Sequence, residues 1–175
     1  DDRISKLIVV CGPSGAGKST IVRYLLDNVP QLAFSISATT RSPRGNEQDG
    51  DAYYFLSVEE FRRQIETDGF VEYEEVYDGL YYGTLTAEMA RITDEGRVPI
   101  LDIDVKGAMN IKRRFGRMPL FLFIHPGTLD TLRNRLINRG TDSLDSIERR
   151  MQRAEAEIDD AHKFDIILHN EDLDD

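Results

Sequence analysis

Apolar and polar positions along the chain alternate between two rhythms. Residues 6–11, KLIVVC, form a short apolar run that stops at Gly12, the pattern of a strand buried on both faces. Helical spacing follows over 19–28, where Ile21 with Leu25 and Val22 with Leu26 recur one turn apart. LAFSIS (32–37) predicts a second strand, and 58–65 a short helix. A helix over 87–95 stops at Gly96, and VPILDIDV (98–105) reads as another buried strand that begins at Pro99. PLFLFIH (119–125) is a further strand, 128–139 and 146–161 are helices, and KFDIILHN (163–170) is the last strand. The 146–161 helix carries an apolar stripe of Ile147, Met151, Ala154, Ile158 and Ala161, with Arg149, Arg150 and Arg153 on its other side. Met151 therefore reads as core. Strands alternating with helices imply a largely parallel sheet with helices on both faces, an α/β fold.

Between Gly50 and Gly83 the texture changes. DAYYF, FVEYEEVY and LYYG are short, tyrosine-rich and partly alternating, with turns at Gly69 and at Asp78–Gly79. This stretch predicts a small, mostly antiparallel patch inserted into the α/β chain.

Length and composition narrow the class. At 175 residues the chain suits one domain, and 40% hydrophobic with 31% charged residues is globular rather than disordered. Cys11 is the single cysteine, so no internal disulfide forms and a reducing compartment is expected. No signal segment is seen and no apolar run approaches the roughly 20 residues of a membrane span, so a soluble, cytoplasmic protein is expected. A net charge of −10 argues against nucleic acid as a partner and means that any phosphate must be met by cations concentrated locally. The acidic runs near the C-terminus read as solubilising.

The candidate chemistry begins with GPSGAGKST. Gly12, Gly17, Lys18 and Ser19 fit G-x-x-x-x-G-K-[ST] between a predicted strand and a predicted helix. Its glycines let successive backbone N–H groups face one anion, and the helix start adds the positive end of its dipole. Lys18 is placed to reach the β- and γ-phosphates and the Ser19 hydroxyl to ligate Mg²⁺, so the loop, with Ser14, Gly15 and Thr20, reads as a nucleoside triphosphate site. ILDID (100–104) is an apolar strand ending in carboxylates. Asp102 and Asp104, two apart, are expected on one side of that strand, with Asp102 placed near the metal; either could lie closer, or both could cap a turn. TTRSPR (39–44) sets Arg41 and Arg44 three positions apart, which in isolation fits either a solvated loop or an anion clamp.

SATTRSPR, DAYYF, VEYEEVYDGLYYGT, LDIDVKGA, RGTDSLDSIERR and HNEDL follow GPSGAGKST in the order and spacing of guanylate kinases. Over 7–173 the chain resembles that family, which implies an enzyme converting ATP and GMP to ADP and GDP with Mg²⁺ carried by ATP. The resemblance implies a core of 1–34, 85–138 and 163–175, a GMP-binding subdomain of 35–84 and a lid of 139–162. It places the GMP phosphate on Arg41, Arg44, Tyr53 and Tyr82, and the guanine on Ser37, Glu72 and Thr84, with Asp104 in the same pocket. Arg139 and Arg150 match lid arginines that reach the ATP phosphates, so that Lys18, Arg44, Arg139 and Arg150 carry the transfer. Asn170 matches an adenine contact. Between the lid arginines, Asp142 or Ser143 is expected to cap the following helix. The subdomain and the lid are the expected moving parts.

Some positions depart from the family pattern. Ala52 stands where an aspartate often precedes the tyrosine, the glycine after Arg44 is shifted to Gly45, and Tyr73 replaces a frequent tryptophan. Relatives continue past the position of Asp175 into another helix, so the chain is expected to be truncated or naturally short there. No Ser–His–Asp or Cys–His nucleophile is visible, and His125, His162 and His169 read as structural or surface groups. A non-enzymatic scaffold domain would be expected to lose parts of the phosphate loop or the lid arginines. A kinase for a phosphorylated sugar would not need the Ser37–Glu72–Thr84 set, and a generic NTPase leaves the arginine pair unexplained. A monomer or a weak homo-oligomer is expected.

Overall fold

The computed structural model describes residues 4–140 and 143–170. Its core is a five-stranded, all-parallel sheet built from β1 (Ile8–Cys11), β2 (Leu32–Phe34), β7 (Val98–Asp102), β8 (Leu120–His125) and β9 (Ile166–His169), ordered β2-β7-β1-β8-β9. A second, mixed sheet runs β4 (Tyr54–Phe55), β3 (Ala38–Thr39), β6 (Leu80–Leu85), β5 (Phe70–Tyr77), with β3 parallel to β4 and the other pairs antiparallel. Six α-helices, α1 (Lys18–Asn28), α2 (Val58–Glu66), α3 (Thr86–Asp94), α4 (Val105–Phe115), α5 (Leu129–Arg139) and α6 (Leu144–Asp159), and a short 3-10 helix at Ala161–Lys163 complete the described chain. Among the described residues, no helix is long and apolar enough to cross a membrane.

Strict alternation of side chains assigns the unbroken apolar runs to two cores. Leu7, Val9 and Cys11, with Leu101, Phe121 and Phe123, face α4 through Val105, Ala108 and Ile111. Val10, Ile100, Leu122 and Ile124 face the other way, onto Ala16 and Val22. Two smaller clusters lie apart from the sheet's own. Leu132 and Leu136 of α5 pack on Ile147, Met151 and Ala154 of α6. Phe61 of α2 stacks on Phe70 and Tyr81 of the mixed sheet, with ring centroids 4.3 and 4.8 Å apart.

The structure shifts several expected elements. Helix α4 was not marked out in the sequence, although Val105, Ala108, Ile111 and Phe115 carry its stripe and Lys112, Arg113 and Arg114 suit its C-terminal dipole. The strand at β7 ends at Asp102, and Asp104 is instead the N-cap of α4, its carboxylate accepting the Gly107 N–H at 2.8 Å. Asp102 and Asp104 therefore do not share one side of a strand. β7 begins at Val98, whose N–H donates to the Gln31 carbonyl at 2.7 Å, one residue before Pro99. β2 stops at Phe34, short of 37. Ser35 N–H still bonds Ile100 O, but the next amide, Ile36, turns to the Glu88 carboxylate. Helix α6 starts two residues before 146 because the Ser143 hydroxyl accepts the Ser146 N–H and caps it. The alternative cap, Asp142, lies outside the described residues.

Candidate active site

The phosphate loop follows β1 and opens α1. Gly12 lies hard against the sheet: a Cβ there would sit 2.7 Å from the Ile124 carbonyl oxygen, so only glycine fits. Gly15 and Gly17 take φ of 88°, the left-handed region, and Gly17 is the N-cap of α1. Lys18, Ser19 and Thr20 are the first residues of α1, with Ser19 and Thr20 exposed. The Lys18 ammonium lies 2.9 Å from the Asp102 carboxylate at the end of the neighbouring strand. Burial works against the charge on Lys18, but Asp102 outweighs it and holds that pKa above the ordinary lysine value. Cys11, just before the loop, is buried, and burial pushes its thiol far above the reactive range.

Elements of the C-terminal half rest on the same loop. Arg150 of α6 donates to the Ser14 hydroxyl at 2.6 Å. Asn170 donates through its side chain to Ala16 O at 2.9 Å, and its backbone N–H bonds His125 O at 2.7 Å. Arg135 of α5 reaches both Gly15 O, at 3.3 Å, and Asn170 O, at 2.7 Å. Arg135 was not singled out from the sequence; its spacing of one turn before Arg139 is the signal that could have found it. Arg139 is the last residue of α5, before Gly140 at φ 69°.

A second group forms around Glu72 of β5. Its carboxylate, in a residue 8% exposed, accepts from the Thr84 hydroxyl on β6 at 3.0 Å. Burial pushes the Glu72 carboxyl up to about 7, the Thr84 bond pulling the other way and the charges of Asp104 and Glu74 adding to the rise. Gly107 shows how close Glu72 and Asp104 come: a Cβ there would lie 3.2 Å from a carboxylate oxygen of each. Arg153 of α6 approaches Asp104 at 3.5 Å and bonds Glu157 at 3.0 Å, and Glu157 in turn lies in the field of Lys18. Helix α6 thus carries charges toward both the loop and the Glu72 group.

A third group is built on the mixed sheet. The Arg41 guanidinium stacks over Tyr53, 5.0 Å from its ring centroid, and the Tyr53 and Tyr82 rings lie 6.1 Å apart. Both terminal nitrogens of Arg41 are gripped by Glu47, at 2.9 and 3.0 Å, which holds the guanidinium's pKa above its ordinary value. Glu47 also accepts the Arg44 N–H at 2.8 Å, while the Arg44 side chain is exposed. The sequence carries no sign of Glu47, because its partner lies six residues away across an irregular loop. Ser37 is half-buried and its carbonyl accepts the Tyr54 N–H at 2.9 Å. A separate cleft of about 340 Å³ on the outer side of α2, lined by Leu56, Glu60, Arg63, Gln64 and Thr67, includes none of these residues.

The arrangement offers an anion cradle with a lysine, a buried carboxylate beside a hydroxyl, and a cluster of Arg41 with Tyr53 and Tyr82, beside which Arg44 is joined through its backbone to Glu47. The sequence profile described as guanylate kinase matches residues 4–175. The guanylate kinase of Porphyromonas gingivalis is 53% identical over 171 residues, covering 97% of this chain and 91% of the relative. That of Salinibacter ruber is 48% identical, covering 96% of this chain and 89% of the relative. The crystal structure of guanylate kinase from Anaplasma phagocytophilum superposes with a TM-score of 0.75 at 29% identity, covering 97% of this chain and 79% of that one. On a matching profile, full-length relatives and a shared architecture, the chain belongs to the guanylate kinase family.

Proposed function

We propose that this guanylate kinase moves the γ-phosphoryl group of ATP onto GMP between two anion sites, the loop from Gly12 to Thr20 and the cluster around Arg41. In this reading 35–84 is the acceptor subdomain, 139–162 the lid, and the remainder the core. The observation that carries the acceptor assignment is Glu72, a buried carboxylate held by the Thr84 hydroxyl. Guanine N1–H and the N2 amino group are adjacent donors, and one carboxylate accepts from both. Adenine lacks the N1–H, so an adenine there would leave a buried acceptor unpaired, which discriminates strongly. Thr84 and Ser37 supply hydroxyls for the base edge, and Asp104 a further acceptor. Arg41 and Arg44 grip the monophosphate through planar forks, and the Tyr53 and Tyr82 hydroxyls add donors without adding charge.

On the donor side Lys18 neutralises the β- and γ-phosphates, and Arg139 and Arg150 bring two more cations against the transferring group. Asn170 lies at the adenine end. Ser19 at the exposed start of α1 and the Asp102 carboxylate beside Lys18 are oxygen donors of the kind Mg²⁺ takes, and would hold it together with the phosphates and water. Such an ion supplies charge neutralisation on the phosphate oxygens. ATP and GMP are the partners of this reading, the chain acting in the cytoplasm as a monomer or a weak homo-oligomer without nucleic acid or membrane.

The test is a coupled assay offering GMP, AMP, CMP, UMP and a sugar phosphate in turn. GMP alone should support rapid turnover, and Arg44→Ala should raise the KM for GMP by about tenfold or more with the KM for ATP unchanged. Unaltered saturation by GMP in that variant means that the arginine pair holds something else.

A further inference from the structure

Glu88 is a carboxylate on the buried face of α3, 3% exposed, in a residue that neither anion site uses. Burying a carboxylate is costly unless it is paired and hydrogen-bonded, and this one has three donors, one of them an arginine. One oxygen accepts the Ile36 N–H at 2.7 Å; the other accepts the Tyr54 hydroxyl at 3.1 Å and the Arg91 Nε–H at 2.8 Å.

The identity of those donors matters more than their number. Ile36 lies where the chain leaves the parallel sheet for the mixed one: Ser35 is still bonded to β7, and Ser37 is the residue assigned to guanine. Tyr54 follows Tyr53, assigned to the monophosphate, and its N–H bonds Ser37 O. A single carboxylate on a core helix thus joins the backbone beside the base reader to the strand beside the phosphate reader.

We infer that Glu88 is a positioning residue for the acceptor nucleotide, fixing the joint between the two sheets so that Ser37 and Tyr53 meet GMP at the correct spacing. The inference rests on the acceptor-site reading above. It separates Glu88 from a merely structural group, because loss of a general structural support would disturb both substrates together.

The experiment measures KM for GMP, KM for ATP and kcat, together with thermal melting, for Glu88→Gln, Tyr54→Phe and the double variant. Tyr54→Phe removes one of three bonds and keeps the fold testable if Glu88→Gln melts too low. Each single variant should raise the KM for GMP, Glu88→Gln by about tenfold, with the KM for ATP within a factor of about two. The double variant should be no worse than Glu88→Gln alone, since both break one network. Folded variants with an unchanged KM for GMP, or with both KM values rising in parallel, overturn the inference. Glu72→Gln and Tyr53→Phe run alongside. If they raise the KM for GMP while the Glu88 and Tyr54 variants do not, this inference alone fails. If they leave it unchanged, the acceptor-site reading fails and takes this inference with it.

Discussion

Lowering the pH from 8 to 6 should weaken GMP binding about tenfold through Glu72 alone. Burial lifts that carboxyl from 4.5 to about 7 in the free protein, and guanine requires the ionised form to accept its two N–H groups. The ionised fraction is then about 0.9 at pH 8 and about 0.1 at pH 6, a ratio worth about 1.4 kcal/mol. The GMP phosphate also titrates, near pH 6, so the measured ratio must be divided by that of Glu72→Gln, which keeps the phosphate's contribution and loses the carboxyl's. Calorimetry in buffers of different ionisation heat supplies a second readout: on binding at pH 7 about half a proton more should leave the wild-type complex than the variant complex. Equal pH ratios in the two proteins, with the same buffer-dependent heat, refute the reasoning. The sign for stability runs the other way. A folded-state pKa above the unfolded one favours the fold fully below about pH 4.5 and loses that benefit as pH rises through 7. Without GMP, Glu72→Gln should therefore melt above wild type at pH 8, by at most about 3 kcal/mol of stability, and the gap should close toward pH 4.5.

Two further substitutions test the frame around the site. Gly12→Ala puts a methyl group 2.7 Å from the Ile124 carbonyl oxygen, so denaturant unfolding should show a loss of about 1–3 kcal/mol together with weakened ATP binding; a variant with wild-type stability and turnover contradicts the close approach. Ser143→Ala removes the hydroxyl that caps α6, which should cost about 1 kcal/mol in a thermal melt, and an unchanged melting curve contradicts the cap.

The fold was legible where burial on both faces forces a continuous apolar run, as in residues 6–11 and 119–125. The phosphate loop was legible because its strand, glycines, lysine and helix are consecutive. What escaped depends on contacts between distant segments. Asp104, two positions after Asp102, reads as part of the same strand, yet the chain leaves the strand at Ile103 and the carboxylate caps α4. The apolar spacing of that helix is present in the sequence but is masked by the conspicuous strand that runs into it. Glu88 reads locally as a helix former; its only sign was an acid in line with the apolar Leu85 and Ile92, which proves informative once the segment at Ile36 is known to cross above it. Glu47 left no sign, because the arginine it grips is fixed by the loop's shape. The roles of Ser37, Tyr53 and Tyr82 were suggested by resemblance alone, since a serine or tyrosine in an alternating strand is compatible with any polar surface.

The bonds from Arg135 to Gly15 and Asn170, and from Asn170 to Ala16 and His125, form a circuit through four separate stretches of chain. All four of its acceptors are main-chain carbonyls, so the circuit constrains the path of the backbone as well as the side chains. Loosening any one stretch withdraws a partner from the next. The phosphate loop, helix α5 and the edge of the sheet are consequently tied into one cooperative unit, and disorder introduced at the far rim of the sheet is transmitted to that loop.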